Sequence, residues 1–271
     1  MTGLRNWLPP ELLRLGRVWS GRGVRFQGEY ESWSAAAAHA GGYDSDAILS
    51  RVLEATLAVR DGRAAYERDG VLFMSPEYPY PLLAGLLWAA AKRGGRLDVL
   101  DFGGALGSSY FQCLPWLKNL FALRWTVVEQ PHFVACGRKQ VADGVLGFSE
   151  SIEDCVSNCI PDVALFSGVL QYLEHPSDVL NEISGLGIQQ VIIDRSPIIE
   201  SDTDVISLQV VPARIVRSSY PIRLFSRGSV LRPLESTYSV RAEFPAVDGV
   251  LGGIRRRVEF RGFILERIRD S

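Results

Sequence analysis

The chain has 271 residues, of which 47% are hydrophobic and 22% are charged, and its formal net charge is −2 with a pI near 6.0. This composition describes a globular chain that is long enough for one α/β domain with an appendage. It excludes the strongly basic surface of a general nucleic-acid-binding protein. No segment has the roughly 18 consecutive apolar residues of a membrane span.

Residues 1–75 are predicted to form an N-terminal helical cap. Residues 4–17 mix Trp7 and leucines with arginines, which favours an amphipathic helix that either packs on the protein's own core or lies on an anionic membrane surface. An irregular, glycine-rich loop is expected up to Tyr30. An Ala-rich helix capped by Ser32 and a helix with an apolar stripe from Ile48 to Leu57 follow. Because the first segment lacks a signal-peptide core and cleavage site, a cytoplasmic protein is expected.

Residues 76–271 are predicted to form one α/β domain. A helix from Leu82 to Lys92 precedes alternating strands and helices. This alternation is typical of a doubly wound, mostly parallel sheet, whose strand carboxyl ends lie along one rim. A β-like insertion near 205–225, a short helix from Ser226 and a closing antiparallel pair complete the domain. The predicted parallel strands lie near residues 97–101, 125–129, 145–148, 162–167 and 190–194.

The first of these strands runs into a glycine-rich turn from Asp101 to Gly107. Glycine has no side chain in the way and tolerates positive φ, so the backbone can approach a ligand closely there. The second strand ends at Glu129, whose carboxylate can accept the hydrogen bonds of a ribose diol. Together they predict a nucleotide-sized crevice, although a buried strand followed by an ordinary glycine turn has the same pattern. A dinucleotide site normally has G-x-G-x-x-G, which this turn does not match.

The turn resembles the first motif of class I S-adenosylmethionine-dependent methyltransferases, D/E-x-G-x-G-x-G. Asp101, Gly103 and Gly107 match it, and Ala105 stands at the middle glycine. The segment from Ser167 to Pro176 is similar to the region that follows the fourth strand in that family. Further clusters narrow the resemblance to a bacterial methyltransferase group found with surface-polysaccharide gene clusters, over almost the full chain. They are Trp19-Ser-Gly, Gly28-x-Tyr30-x-x-Trp33, Gly42-Tyr43-Asp44, Leu170-Gln-Tyr172 and Asp194-Arg-x-Pro197.

The resemblance implies a Rossmann-like fold and S-adenosyl-L-methionine as the cofactor. It places Glu129 on the ribose, Ser149 near the adenine amino group, and Gln171 and Tyr172 toward the acceptor. Tyr78 precedes the helix before the first strand, in a loop that often lies over the ligand, and is a further substrate-binding candidate. The cofactor-binding candidates are Asp101, Phe102, Gly103, Gly104, Gly107, Glu129, Ser149, Ser167 and Gly168.

The transfer of a methyl group to a hydroxyl requires a general base. His175 is the first candidate, because an imidazole titrates near neutral pH, although it can instead brace the helix that follows it. Asp194 and Glu174 are the alternatives. Arg195 lies at the carboxyl end of a predicted strand, where its guanidinium can hold an anionic acceptor or form a structural ion pair with neighbours of Asp194 or with Glu77.

The expected acceptor is a small molecule or a carbohydrate of surface-polysaccharide biosynthesis. The alternative functions are an NAD-dependent oxidoreductase and a non-catalytic binding protein with the same fold. Twelve arginines and six acidic residues in 214–271 either steer an acidic glycan or cover a solvated strand face.

No metal site is expected, since the cysteines offer no complete ligand set and are interpreted as reduced core thiols. These are Cys113, Cys136, Cys155 and Cys159.

Overall fold

The computed structural model describes residues 25–41, 45–211, 218–251 and 257–268. The predicted amphipathic segment 4–17 and the Trp19-Ser-Gly and Gly42-Tyr43-Asp44 clusters lie outside the described residues. Within them, no helix is both long enough and apolar enough to cross a membrane.

The N-terminal region contains strands as well as the two predicted helices. Its elements are β1 (Arg25–Tyr30), α1 (Trp33–Ala38), α2 (Ser45–Arg60), β2 (Tyr66–Arg68) and β3 (Val71–Phe73). Ser32 caps α1, as predicted, by accepting the backbone N–H of Ala35 at 3.1 Å. Asp69 and Gly70 join β2 to β3 with φ values of +54° and +71°, as a two-residue hairpin turn with a type I′ twist requires.

The expected loop before Tyr30 is wrong, because residues 25–30 form β1 and pair antiparallel with residues 206–210. Phe26 is only 3% exposed and packs in an apolar cluster with Ile222 and Leu224. Gly28 has φ +75° and lies where the register between the two strands shifts. The burial of Phe26 therefore fixes a strand in a segment whose glycines give no strand-like pattern.

The five predicted parallel strands are confirmed and lie in the order β6-β5-β4-β7-β8. They are β4 (Arg96–Phe102), β5 (Ala122–Val128), β6 (Leu146–Ser149), β7 (Val163–Ser167) and β8 (Gln190–Ile199). The helices beside them are α3 (Tyr80–Lys92), α4 (Ser108–Leu117), α5 (Pro131–Gln140), α6 (Ile152–Val156) and α7 (Pro176–Gly185). The strand order reverses direction beside β4, and this is where α/β sheets open a ligand crevice at the carboxyl rim.

Adjacent residues of β4 contribute to opposite faces of the sheet. Val99 packs in one apolar cluster, with residues of α3, α4 and α5, and Leu100 packs in the other, with residues of α6 and α7. Both side chains are fully buried. This alternation is what a strand covered by helices on both faces requires, and it confirms the predicted doubly wound arrangement.

The remaining elements are β9 (Val205–Val211), β10 (Ser218–Ser226), α8 (Arg227–Leu231), β11 (Tyr238–Leu251) and β12 (Val258–Arg267). As predicted, Ser226 caps α8, and β11 and β12 form an antiparallel pair. Strand β12 is also antiparallel to β8 along most of its length. On the other edge of β8, β7 pairs as far as Asp194, and β10 pairs from Ile198 onward. A gap of three residues therefore opens between β7 and β10, beside the single helical turn Leu170–Tyr172.

We predict that Phe26→Ala lowers the free energy of unfolding by about 3 kcal/mol or more, as expected for the removal of a buried aromatic side chain. The exposed neighbour on the same strand gives the control, since Gln27→Ala is expected to change stability by less than about 0.5 kcal/mol. Urea unfolding of the two variants measures the difference. Equal stabilities would mean that β1 is not part of the cooperative core.

Candidate functional site

The glycine turn is built around the carboxylate of Asp101. This side chain is fully buried at the end of β4, and its Oδ2 accepts a hydrogen bond from the indole Nε1 of Trp125 at 3.0 Å. Burial raises the pKa of Asp101 to about 7, although the indole donor acts in the opposite direction. A Cβ atom at Gly104 would collide with this carboxylate, and one at Gly103 would collide with Val169. Both positions therefore require glycine on steric grounds.

Left-handed backbone continues through the turn at Ala105 and Gly107. Gly107 has φ +94°, and a Cβ atom there would lie 2.9 Å from Leu146 Cδ2. Ala105 has φ +52°, so the alanine has the left-handed conformation for which glycine is preferred. The structure thus keeps a glycine-type turn where the sequence departs from the motif, at the expense of strain at Ala105.

Glu129 and Ser149 lie side by side at the ends of β5 and β6. The Glu129 carboxylate accepts the backbone N–H of Gln130 at 2.7 Å, and burial raises its pKa while the backbone N–H groups of Gln130 and Ala105 lower it. Glu129 N donates to Ser149 O at 3.1 Å, and Ser149 Oγ donates to Ser151 O at 3.1 Å. Two of the predicted cofactor residues are therefore held together at the rim of the sheet, beside the glycine turn.

The imidazole of His132 adds a group at this end of the site. Its Nε2 is buried and has no hydrogen-bond partner among the described residues, and its ring contacts Phe133. His132 also acts electrostatically on Glu129, in the direction that lowers the pKa of that carboxyl. His132 follows Pro131 and belongs to no sequence motif, so the sequence favours a structural role for it.

Ser167 and Gly168 face Asp194 across the ends of β7 and β8. Ser167 is paired with Asp194 in the sheet, and Gly168 N donates to Asp194 O at 2.9 Å. Phe102, at the end of β4, is partly buried, with its ring 5.6 Å from that of Phe166. The structure thus brings Phe102, the glycine turn, Ser167 and Gly168 to one edge of the sheet, as predicted.

Asp194 lines a small cavity at this edge, and it is only 4% exposed. Its Oδ1 accepts the backbone N–H of Arg195 at 2.9 Å, and no described residue donates a hydrogen bond to its Oδ2. Burial raises the pKa of Asp194 to about 6, although the Arg195 charge acts to lower it. Other residues that line the cavity are Glu67, Arg68, Ser108, Ser167 and Arg195.

Arg195 is engaged by two carboxylates. Its Nε donates to Asp248 Oδ2 at 2.8 Å, and its Nη2 lies 3.4 Å from Asp69 Oδ2. Burial alone would raise the pKa of Asp248, but Arg195 holds it below its ordinary value. The expected partner Glu77 is wrong, because Glu77 accepts the hydroxyl of Tyr66 at 2.7 Å instead. Arg195 has φ +57°, a left-handed conformation inside β8.

His175 lies away from this cavity. It is the N-cap residue of α7, its side chain is exposed, and its backbone carbonyl accepts Asp178 N at 3.2 Å. Glu174, the other alternative base, is also exposed. Among the three candidate bases, Asp194 is therefore the one that lines the cavity.

The predicted acceptor-facing residues are separated into two groups. Gln171 is buried and its Nε2 donates to Arg195 O at 3.3 Å, while Tyr172 OH donates to Gln209 Oε1 at 3.1 Å. Both lie at the gap between β7 and β10. Tyr78 belongs instead to an aromatic cluster, with its ring centroid 5.6 Å from that of Trp116 and 6.1 Å from that of Tyr80.

Glu67, in β2, is a buried carboxylate that the sequence interpretation missed. It is 4% exposed and accepts hydrogen bonds from the hydroxyl of Ser108 and from Gly70 N, the latter at 3.0 Å. Burial raises its pKa. The Asp69-Gly70 pair, a strong signal for a two-residue hairpin turn, was the feature that could have identified this hairpin.

The cysteines and arginines differ in part from expectation. Cys113 is buried, whereas Cys159 is exposed and lies beyond the end of α6, so the interpretation of all four as core thiols is wrong. Within the described residues, no cluster of three or more His, Cys, Asp or Glu side chains could hold a metal ion.

Several C-terminal arginines form ion pairs, which favours a solvated strand face over a patch that steers an acidic glycan. The pairs are Arg223–Asp204, Arg227–Glu243, Arg241–Glu266 and Arg261–Glu243.

Known proteins give only distant comparisons. No protein-family model matches the chain, and no curated protein matches it. Among solved structures, the N-terminal domain of EvdMO1 in the presence of SAH and D-fucose is 16% identical, covers 84% of this chain and 98% of its own, and has a TM-score of 0.49. The CcbJ methyltransferase from Streptomyces caelestis is 11% identical, covers 70% and 91%, and has a TM-score of 0.43.

A third similar structure is SAM-bound CalS10, an amino pentose methyltransferase from Micromonospora echinaspora. It is 11% identical, covers 70% of this chain and 89% of its own, and has a TM-score of 0.44. At identities and TM-scores this low, the function of this chain has to be inferred from its own residues.

We predict that Ala105→Gly raises the free energy of unfolding by about 1 kcal/mol, because glycine relieves the left-handed strain at this position. The same substitution at the exposed, helical Ala135 is expected to lower it by about 1 kcal/mol. Urea unfolding of the two variants measures these opposite signs. Destabilisation by both substitutions would contradict a left-handed turn at Ala105.

The buried carboxyl of Asp101 predicts a pH dependence of stability. A pKa near 7 in the folded state and about 3.9 in the unfolded state means that the folded state binds the extra proton between those values. The contribution of Asp101 to stability is therefore fully present below about pH 4 and is lost as the pH rises toward 7.

Replacement by asparagine keeps an acceptor for Trp125 and removes the titration. The unchanged protein is expected to lose free energy of unfolding between pH 5 and pH 8, and Asp101→Asn is not. The free energy of unfolding of the variant minus that of the unchanged protein should therefore rise by more than about 1 kcal/mol over this range. Urea unfolding at the two pH values gives this difference. Parallel pH profiles for the two proteins would contradict a raised pKa at Asp101.

Proposed function

We propose that this chain is an S-adenosylmethionine-dependent methyltransferase with a small-molecule or sugar acceptor. The observation that carries the proposal is the left-handed turn from Gly103 to Gly107, which lies on the buried Asp101 carboxylate and beside Glu129. The turn stands at the carboxyl rim, where the strand order reverses. The β11–β12 pair completes the sheet in the manner that the sequence resemblance implies.

The charges around the start of α4 support this cofactor over a dinucleotide. Three buried carboxylates lie in this region: Asp101 lies against Gly104 of the turn, and Glu67 and Asp194 line the cavity. A pyrophosphate would bring two further negative charges into this environment, where they are poorly screened. A sulfonium and an ammonium group are positively charged and would instead compensate buried carboxylates. These acidic side chains therefore fit S-adenosylmethionine better than NAD.

The proposal assigns the cofactor site residue by residue. Glu129 accepts hydrogen bonds from the ribose hydroxyls, and Ser149 lies toward the adenine amino group. The glycine turn, with Asp101 and Phe102, and the opposite wall of Ser167 and Gly168 enclose the methionine portion. Gln171 and Tyr172 lie on the acceptor side, at the β7–β10 gap, and Tyr78 remains a candidate acceptor contact.

Asp194 is the general base that we propose for a hydroxyl acceptor. The bound cofactor supplies a methyl group activated by the positive sulfur, so that catalysis consists of positioning and of proton removal. Asp194 Oδ2 has no described hydrogen-bond donor, and a pKa near 6 leaves most of the carboxylate ionised at neutral pH. As the acceptor oxygen attacks, Asp194 takes its proton. His175 is the alternative base and would act only from the exposed start of α7.

The finer assignment follows from the sequence resemblance. We propose O-methylation of a carbohydrate of surface-polysaccharide biosynthesis, in the bacterial cytoplasm. In this proposal residues 1–75 form the cap and residues 76–271 form the methyltransferase domain. In this proposal the cap also contributes to the site, because Glu67 and Arg68 of its β2–β3 hairpin line the cavity at the rim of the methyltransferase domain.

We predict that the protein binds S-adenosylhomocysteine and that Glu129→Ala weakens this binding by about 10-fold to 100-fold, since a charge-assisted pair of hydrogen bonds is lost. Isothermal titration calorimetry measures the dissociation constants. The exposed Glu150, at the same rim, provides the control, and Glu150→Ala is expected to bind as the unchanged protein does.

Titration with NADH separates the alternatives. Binding of NADH without binding of S-adenosylhomocysteine would support the oxidoreductase and overturn the proposal. Binding of neither ligand would favour a non-catalytic protein with this fold.

A further inference from the structure

Arg68, in the β2–β3 hairpin, is a cation that an aromatic pair holds in place. Its guanidinium carbon lies 5.5 Å from the ring centroid of Tyr66 and 5.8 Å from that of Phe73. The two rings stack 4.4 Å apart with an interplanar angle of 3°, and the Tyr66 hydroxyl is anchored on Glu77. The guanidinium therefore lies against the aromatic pair, and no described carboxylate forms an ion pair with it.

The charge of Arg68 is available to a ligand. The Arg68 guanidinium makes no hydrogen bond or ion pair to any residue that the structure describes, although its charge acts to lower the pKa of Asp194 and of Asp248. The neighbouring Arg195, in contrast, is paired with both Asp248 and Asp69. Of the two arginines that line the cavity, only Arg68 has its planar donor groups without a described acceptor.

The first turn of helix α4 also favours an anion in this cavity. Ser108 and Ser109, which line the cavity, are the first two residues of the ten-residue helix α4. The backbone N–H groups of a first helical turn have no partners within the helix, and the helix dipole makes this end positive. These N–H groups and the Arg68 guanidinium are all hydrogen-bond donors of positive character, so both suit the same anion.

The same cavity also requires a positive group. Glu67, the residue before Arg68, is a buried carboxylate that lines the cavity, and Asp194, the proposed base, is a second buried carboxylate there. A ligand with negative charge alone, such as a phosphate, would lie against both carboxylates. A zwitterionic amino acid group satisfies both requirements, because its carboxylate and ammonium are only a few bonds apart.

We propose that Arg68 binds the α-carboxylate of the methionine portion of S-adenosylmethionine. This inference rests on the proposed function and extends it to a residue of the cap. It makes the β2–β3 hairpin part of the cofactor site, so that the cap recognises the amino acid end while the sheet rim holds the nucleoside.

The test compares two ligands that differ only at this end. S-Adenosylhomocysteine carries the amino acid group, and 5′-methylthioadenosine lacks it. Calorimetry on the full chain is expected to show that Arg68→Ala weakens S-adenosylhomocysteine binding about 10-fold to 100-fold and leaves 5′-methylthioadenosine binding within about 2-fold. Arg68→Lys, which keeps the charge without the planar donor pair, is expected to give an intermediate loss.

Two controls separate recognition from structural effects. Arg63→Ala makes the same charge change at an exposed arginine, paired with Asp61 at 3.3 Å, and is expected to bind both ligands normally. If Arg68→Ala does not fold, Arg68→Gln carries the test, because it keeps the aliphatic part of the side chain over the aromatic pair.

Equal weakening of both ligands by Arg68→Ala, or no weakening of either, would overturn the role of Arg68 and leave the proposed function intact. Failure of the unchanged protein to bind S-adenosylhomocysteine would instead overturn the proposed function, and the inference with it. The two failures are therefore distinguishable.

Discussion

The buried carboxylate of Asp101 is the constraint on which the site depends. It ends β4, it is held by the indole of Trp125 in the neighbouring strand, and Gly104 lies so close to it that no other residue would fit. An unpaired carboxylate in this position would be costly, and the raised pKa of Asp101 reflects that cost. The turn that follows is forced into left-handed backbone, which leaves the rim of the sheet open for a ligand.

A second constraint brings distant parts of the chain to the same place. Strand β8 leaves β7 after Asp194, and the left-handed Arg195 then joins Asp69 of the β2–β3 hairpin to Asp248 of β11. The hairpin is fixed independently by the hydrogen bond between Glu67 and Ser108. The cavity is therefore made by separate regions of the chain, and its charged lining residues come from β2 and β8.

The sequence predicts the parts of this structure that local patterns encode. The five strands, the glycine turn, the position of Glu129 and the Ser226 cap follow from apolar runs, glycine spacing and turn residues. The sequence does not predict that β1 joins a sheet through Phe26, or that Glu67 and Arg68 reach the cavity. Those features depend on partners far along the chain, such as Arg195 and Asp69, which are 126 residues apart.

A crystal structure of the protein with S-adenosylhomocysteine would locate the cofactor in the site. We expect the ribose on Glu129, the adenine toward Ser149, and the amino acid carboxylate between Arg68 and the first turn of α4. A ligand bound elsewhere, or an amino acid end directed away from the cavity that Asp194 lines, would contradict this expectation.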